Sequence, residues 1–294
     1  MSIFNFFKPE STDKKVEKLI SLIKATTAKP AYKLLIQENQ MPSIFDSKLG
    51  GIPYWDFSKA FPKDSNNENM QLLAQINFSK ESCFSSPFPK EGILQFFISP
   101  NSNQYGVDFQ NPTEQNNFKI VYHNTIDSSV TQENLSHLNI PQGFGTNFTP
   151  IQQECSIKIE KTTSHIQPSD SQFDLVFSQC VKEIFKLDWE EDYQSFFRNK
   201  DIFKEKNNYA KQVFQALNNN DNIMIGNPSF IQEDPRLNFS NEESSHFDTL
   251  LLQLNSYSNS DYIMWGDCGI GNFFINFNSL QNLDFSKVLY NWDC

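Results

Sequence analysis

The chain has 294 residues, of which 38% are hydrophobic and 29 are Phe, so it is long enough and apolar enough to bury a sizeable core. Its formal net charge of −11 argues against nucleic acids and anionic lipids as partners, because a surface of that sign repels phosphate groups. No apolar run reaches the ~18 residues of a membrane span, and the N-terminal residues lack the features of a secretory signal.

Residues 1–40 are predicted to form an N-terminal arm with an amphipathic helix. Val16, Leu19, Ile20 and Ile23 recur at helical spacing, and Pro30 ends the pattern. The arm carries three net positive charges, although the whole chain is acidic. Two interpretations stay open: the basic arm contacts a membrane, an acidic partner or a larger assembly, or its helix lies on the protein's own acidic body.

Residues 41–294 are predicted to form a single domain. Short apolar runs separated by Gly, Pro, Asn and Ser clusters indicate β-structure at both ends of this range. Helical periodicity takes over between them, with Ser169 and Gln172 at capping-box spacing. The sequence therefore predicts three consecutive parts: a β half at 41–160, a helical insert at 165–218 and a second β half at 223–294.

Three blocks of the first β half recur in the second half, in the same order and at similar separations. Each half has a Gly-x-Pro turn, then an alternating strand that contains Gln75 or Gln253, then an apolar strand. Strands are predicted at Ile93–Ile98 and Phe118–Tyr122, and a polar loop at Pro100–Asn117. The expected fold class is α+β, with a mostly antiparallel sheet built from two related β units, helices inserted between them and an N-terminal helix.

Cofactor and metal motifs are absent from the sequence. It contains no phosphate-binding glycine loop, no nucleophile elbow and no zinc spacing of Cys and His, so we predict no cofactor and no metal. The five cysteines are odd in number and widely spaced, which favours reduced thiols in a cytoplasmic protein. They are Cys83, Cys155, Cys180, Cys268 and Cys294.

Two short stretches carry charged side chains in turn-rich surroundings. In the first, Gln232, Asp234 and Arg236 could orient a polar ligand, or Arg236 could form an internal ion pair that pins the loop. In the second, Asp267 and Cys268 lie between glycines. They could serve as base and nucleophile, or Asp267 could accept backbone hydrogen bonds in a glycine turn.

Aromatic residues and amides form the third candidate feature. Aromatic rings joined by a few amides suit sugars, peptides or flat ligands, whereas core packing is the alternative role for the same rings. The candidates are Tyr54, Trp55, Gln75, Gln253, Trp265, Tyr290 and Trp292.

These residues resemble the YwqG-like family, a domain family without an assigned activity. The resemblance covers roughly residues 40–294 and includes the tail 284–294. It implies an α+β protein with a mostly antiparallel sheet, and it supplies no reaction and no catalytic residues. Some similar proteins occur beside bacterial toxin–immunity systems, which implies a partner-binding role by association. The motifs that carry it are Gly50–Pro53, Leu73–Ile76, Pro89–Phe97, Gly226–Arg236, Leu250–Leu254 and Met264–Asp267.

The hypothesis from sequence is a non-catalytic intracellular binding protein. It would engage a protein partner or a small polar ligand through a cleft between its two β halves. The candidate ligand-binding residues are Trp55, Gln75, Gln232, Asp234, Arg236, Gln253, Trp265 and Asp267. The alternative is a hydrolase or transferase that uses Asp267, Arg236 and Cys268.

Overall fold

The computed structural model describes residues 11–146, 148–203, 207–256 and 261–294. These residues form two compact units. The helical unit combines the described residues up to Lys29 with Ser164–Asn219. The sheet unit combines Pro30–Thr163 with Asn220–Cys294.

The described chain contains both helices and strands. Within the described residues the seven α-helices are α1 (Thr12–Thr26), α2 (Gln132–Ser136), α3 (Phe173–Phe185), α4 (Tyr193–Arg198), α5 (Tyr209–Leu217), α6 (Asn241–Ser244) and α7 (Phe277–Gln281). The ten strands in the same ranges are β1 (Lys29–Gln37), β2 (Lys48–Leu49), β3 (Gln71–Asn77), β4 (Ile93–Ile98), β5 (Phe118–His123), β6 (Cys155–Ser164), β7 (Ile223–Met224), β8 (Thr249–Asn255), β9 (Ile270–Ile275) and β10 (Leu289–Asp293).

The apolar side of α1 is buried in the helical unit. Ser11 begins the helix, because its side chain accepts a hydrogen bond from the N–H of Lys14 at 3.5 Å. Val16, Leu19 and Ile23 are fully buried in a cluster with residues of α3, α4 and α5, as helical spacing predicts. The described part of the predicted amphipathic helix is thereby confirmed.

The start of α3 differs from the prediction. Gln172 is the N-cap residue and makes no side-chain capping hydrogen bond, so the predicted capping box with Ser169 is wrong. Asp170 explains the difference, because its carboxylate accepts the N–H of Gln172 at 2.9 Å and forms a turn that precedes the helix.

The second part of the predicted arm is a strand. Lys29–Gln37 forms β1, which lies between β7 and β6 in the sheet, with Tyr32 opposite Met224. Pro30 near the start of β1 ends the helical pattern without preventing a strand, since only one ladder donor is lost there. Residues 1–10, the remainder of the predicted arm, lie outside the described residues.

A single ten-stranded sheet connects the strands in the described part of the sheet unit. Its order is β10-β9-β8-β7-β1-β6-β2-β3-β4-β5. The pairs β3–β4, β4–β5, β8–β9 and β9–β10 are all antiparallel hairpin or meander neighbours. The α+β class, the mostly antiparallel sheet and the N-terminal helix are confirmed.

The matched sequence blocks occupy β3–β4 and β8–β9. Each pair has an irregularity in its register at the same position of the block, between Leu72 and Ala74 in β3 and between Leu250 and Leu252 in β8. Beyond it, Gln75 pairs with Gln95 and Gln253 pairs with Asn272. The polar side chains of the two blocks therefore fall at matching register positions.

Alternation along the strands separates two apolar layers in the sheet unit. One face of β4 and β9 joins a large core through Leu94, Phe96, Ile98, Phe273 and Ile275. The opposite face is covered in the first β half by the Tyr54–Trp55 segment and in the second by Phe230 and Phe247. The candidate residues lie mostly on this second face.

Candidate functional site

Gln75 connects the sheet to the Gly-x-Pro turn of the first β half. Its Oε1 accepts hydrogen bonds from the backbone N–H of Tyr54 at 3.0 Å and from Nε2 of Gln95 at 2.8 Å. Its Nε2 donates to the backbone oxygens of Ile44 and Asp46, each at 2.8 Å. The side chain is fully buried, so its amide holds loops in place and is not exposed to a ligand.

Gln253 has the corresponding arrangement in the second β half. Its Oε1 accepts the N–H of Ser229 at 2.8 Å, and its Nε2 donates to the oxygen of Asp221 at 3.0 Å. The side chain is buried. Both candidate glutamines therefore shape the turns beside them.

Two of the candidate tryptophans, Trp55 and Trp265, are also buried. Trp55 donates through Nε1 to the backbone oxygen of Lys59 at 3.0 Å and packs edge-on against Phe97. Trp265 lies against Gly271, where an added Cβ would stand 2.2 Å from Cζ2 of the indole. Their packing gives both indoles a role in the core.

Asp234 and Arg236 pair with each other. Arg236 donates from Nε and Nη2 to the two carboxylate oxygens, at 2.8 and 2.6 Å, in a bidentate ion pair. Asp234 also begins the 3₁₀ turn Pro235–Asn238 by accepting the N–H of Arg236. The guanidinium lies 4.7 Å above the ring of Phe274. The pair therefore pins the loop, and Arg236 bonds with Asp234 rather than with Asp267.

Asp267 and Cys268 lie in the turn before β9. Asp267 is exposed, and Cys268 has a positive φ of 67°. The Cys268 sulfur is 4.0 Å from the sulfur of Met264. In the ranges that the structure describes, no group of three or more His, Cys, Asp or Glu residues could hold a metal ion. Among those residues the thiol has no histidine contact that would activate it.

A cleft of about 380 Å³ lies on the sheet unit beside the edge strand β10. Among the described residues that line it, Gln232 comes from the predicted ligand-binding set and Trp292 from the predicted aromatic set. Phe109 comes from the long loop of the first β half, and the other residues come from the second half. The lining residues are Phe109, Gln232, Glu233, Pro235, Asn238, Asn291, Trp292 and Asp293.

The aromatic wall of the cleft joins the two β halves. Trp292 donates from Nε1 to the backbone oxygen of Gln104 at 2.9 Å, and its ring centre is 5.0 Å from that of Tyr105. Phe109 is about half exposed, at 51%, and its ring centre is 6.4 Å from that of Trp292. The two rings leave an accessible apolar surface next to polar groups.

Asp293 forms the floor of the cleft and is only 8% exposed. Its Oδ2 accepts the N–H groups of Ile231 at 3.0 Å and Gln232 at 2.7 Å. Its Oδ1 is buried without a hydrogen-bond partner among the described residues. Burial raises the pKa of the Asp293 carboxyl, although the N–H groups of Gln232 and Ile231 act in the opposite direction.

A protein-family model, described as a domain of unknown function (DUF1963), matches residues 47–294. The chain belongs to the DUF1963 family. The matched range contains both glutamines, the Asp234–Arg236 pair and every residue named above that lines the cleft. A search of curated proteins finds no match to the chain.

Most of the cleft in this DUF1963 domain was not predicted. The tail from Tyr290 to Cys294 stood out in the sequence for its aromatic and acidic residues, and alternation along β10 would have placed Asn291 and Asp293 on one face. Phe109 carried no such signal, because it lies in an irregular loop far from Trp292 in sequence. None of the described helices has the length and apolar character that crossing a bilayer requires.

Proposed function

We propose that the chain is a non-catalytic intracellular binding protein that engages a partner protein through the cleft beside β10. The observation that carries the proposal is the lining itself: two accessible aromatic rings stand next to amides and carboxylates. Aromatic anchors with a few convergent polar groups are typical of recognition sites. A small polar ligand in the same cleft is the other form of this proposal.

Binding is favoured over catalysis by how the reactive side chains are used. Arg236 is held by Asp234, and the Cys268 sulfur contacts the Met264 thioether. The hydrolase or transferase alternative would need Asp267, Arg236 and Cys268 to converge on one substrate. The contacts made by Arg236 and Cys268 give that alternative no support.

We also propose that the two β halves are related copies and that the cleft belongs to the boundary between them. Supporting this, β4 and β9 are each second from an edge of the sheet, and β3 and β8 are each third. The matching register irregularities and the matching bonds of Gln75 and Gln253 support it further. The resemblance to the YwqG-like family is consistent with this organisation.

Docking through the basic N-terminal segment stays a prediction and needs a finer test than removal of residues 1–40. Such a deletion would remove α1 and β1, and with them buried residues of both units. Charge reversal of exposed lysines on α1, such as Lys14 and Lys18, leaves the buried positions intact.

Partner capture on the immobilised protein tests the binding proposal. Phe109→Ala removes an accessible ring from the cleft, whereas Phe57→Ala removes an equally exposed ring, at 50%, outside it. We expect Phe109→Ala to reduce the yield of specifically retained partners, while Phe57→Ala retains them like the wild type. Thermal unfolding of both variants verifies the fold. Equal capture by the two variants would overturn the proposal.

A further inference from the structure

The cleft is acidic as well as aromatic. Its described lining contains the carboxylates of Glu233 and Asp293 and no Lys, Arg or His. An acidic rim alone is common on a chain with a net charge of −11. The buried Asp293 distinguishes this cleft from the rest of the acidic surface. Its Oδ1 has no hydrogen-bond partner among the described residues, and burying a carboxylate oxygen in that state costs free energy.

Comparison of the two β halves shows why Oδ1 of Asp293 lacks a partner. His123 pairs with Ile93 across β4–β5, and Asp293 pairs with Ile270 at the matching position of β9–β10. In the first half, Nε2 of His123 is 3.0 Å from Oε1 of Gln95. The residue that matches Gln95 in the second half is Asn272.

Asn272 and Asp293 are each shorter than their counterparts in the first half. Asn272 Nδ2 donates to the backbone oxygen of Ser229 at 3.0 Å, which leaves Oδ1 as the free end of its amide. Oδ1 of Asn272 and Oδ1 of Asp293 are both buried without a hydrogen-bond partner. The contact that Gln95 and His123 make in the first half therefore has no equivalent between them.

Ser229 also differs from its counterpart in the first half. It follows the Gly-x-Pro turn at the position that Tyr54 has in the first half, where the buried Tyr54 ring packs edge-on against His123 at 5.2 Å. A serine supplies no ring, and its Oγ is also buried without a partner. In the described second half, Oδ1 of Asn272, Oδ1 of Asp293 and Oγ of Ser229 lack bonds, whereas at the matching positions of the first half only Nδ1 of His123 does.

The chemistry of these three atoms indicates which kind of ligand group could bond to them. A carboxylate oxygen and an amide oxygen only accept hydrogen bonds, and a hydroxyl accepts as well as donates. A ligand group that bonds to the free oxygen of Asp293 must therefore be a hydrogen-bond donor. A cation that donates would also be attracted by Glu233 and by the faces of Trp292 and Phe109.

We propose that the cleft binds the ammonium or guanidinium group of a Lys or Arg side chain on a partner protein, with Asp293 and Glu233 as its carboxylate partners. This inference rests on the binding function proposed above and names the chemistry of the partner. The charge of the chain favours it, because an acidic protein attracts a basic segment over a distance. Asp293 would supply the buried acceptor of the site, and Trp292 the apolar wall for the side-chain stem.

Fluorine NMR on protein labelled with 5-fluorotryptophan tests the inference. The chain has four tryptophans, and Trp292→Phe assigns the resonance of the one that lines the cleft. The probes are capped glycine pentapeptides with a central Arg, Lys, citrulline or Glu. We expect the Arg and Lys peptides to shift the Trp292 resonance with an affinity that falls as salt is added, and the citrulline and Glu peptides to leave it unchanged.

Matched variants separate the local carboxylates from the overall charge. Asp293→Asn and Glu233→Gln each remove one negative charge from the cleft, and Glu242→Gln removes one from α6, outside it. We expect the two cleft variants to weaken the Arg peptide about tenfold or more and Glu242→Gln to change it little, because a charge pair formed in a desolvated site is stronger than a remote one.

The outcomes that overturn the inference are distinct from failure of the proposed function. If the Arg and citrulline peptides bind alike, or if none shifts the Trp292 resonance at millimolar concentration, the cleft does not recognise a cation and the inference is wrong. If butylammonium binds as tightly as the Lys peptide, the cleft recognises a small free amine rather than a side chain of a partner protein. In each case partner capture that depends on Phe109 would leave the proposed function standing.

Discussion

Gln75 and Gln253 each accept a hydrogen bond from the residue that follows a Gly-x-Pro turn, Tyr54 at 3.0 Å and Ser229 at 2.8 Å. Each amide also donates to a backbone oxygen that precedes its turn, so one side chain connects two loop segments to a strand. The second face of the sheet is therefore organised by buried amides, whose bonds have direction, as well as by apolar packing.

Gln75→Leu is expected to destabilise the protein more than Gln253→Leu. Gln75 takes part in four hydrogen bonds and Gln253 in two, counted over the described residues. Because leucine has a similar size but leaves the partner groups unbonded, we expect losses of about 3 kcal/mol or more at Gln75 and about 2 kcal/mol at Gln253. Urea unfolding of the two variants measures both values, and a larger loss at Gln253 would contradict the expectation.

Much of this arrangement was predictable up to the point where distant segments meet. Block matching placed Gln75 and Gln253 at equivalent strand positions, and a short apolar run predicted the strand Ile93–Ile98. The hydrogen bonds of the two glutamine side chains were not predictable, because their backbone donors lie 21 and 24 residues away in loops without regular periodicity. For the same reason no local pattern connects Phe109 with Trp292.

The strand β1 was missed for a different reason. Pro30 correctly ended the predicted helix, and a proline usually argues against a strand. Ala31, Tyr32 and Leu34 are nevertheless buried in the middle of the sheet. Tertiary pairing with β7 therefore outweighed the local signal of one residue.

Gly271→Ala tests how closely β9 approaches Trp265. A Cβ at this position would meet Cζ2 of the indole at 2.2 Å and Cε2 at 2.6 Å, with no strain from the backbone conformation. We expect a destabilisation of about 1–3 kcal/mol from overpacking. In a Trp265→Leu background the ring is gone, so the same substitution should cost less, with a coupling energy of about 1 kcal/mol or more.

A second buried tryptophan provides the control for this cycle. Trp55 belongs to the cluster that covers β4 in the first half. The three atoms nearest to a Cβ at Gly271 all belong to Trp265 and none to Trp55. Gly271→Ala and Trp55→Leu should add to within about 0.5 kcal/mol in chemical denaturation. If the effects of Gly271→Ala and Trp265→Leu are also additive, the added methyl group does not press on the indole, and the expected contact with Trp265 is wrong.

His123 is expected to make stability depend on pH. Burial lowers its pKa from 6.5 to about 4, with a further lowering by Lys59 and an opposing effect from Asp56. Between these two pKa values, His123 is therefore protonated in the unfolded chain and neutral in the folded chain. Stability is fully present above pH 6.5 and falls by about 3 kcal/mol as the pH drops towards 4, from the linkage between pKa and folding.

His123→Gln isolates this contribution, because an amide can still donate to Oε1 of Gln95 and has no proton to gain. The free energy of unfolding of this variant, measured by urea titration between pH 4 and 7, should fall less steeply than that of the wild type. His165 has a lowered pKa too and leaves a residual slope in both proteins. Parallel profiles for the two proteins would refute the assignment to His123.

The Asp234–Arg236 pair is expected to behave as one unit. Arg236→Ala leaves a carboxylate that is only 3% exposed without its bidentate cation and removes the stacking on Phe274, so a loss of about 3 kcal/mol is expected. Arg236→Lys keeps the charge but not the planar fork, and should lose an intermediate amount. Chemical denaturation at neutral pH measures both.

The double variant distinguishes a need for charge from a need for packing. Asp234→Asn with Arg236→Met removes both charges together while Asn retains an oxygen that accepts the N–H of residue 236. Because no buried carboxylate has then lost its guanidinium, this variant should be more stable than Arg236→Ala alone by about 1 kcal/mol or more. If it is instead no more stable than Arg236→Ala, a buried charge is not what destabilises that variant, and the lost stacking on Phe274 accounts for the loss.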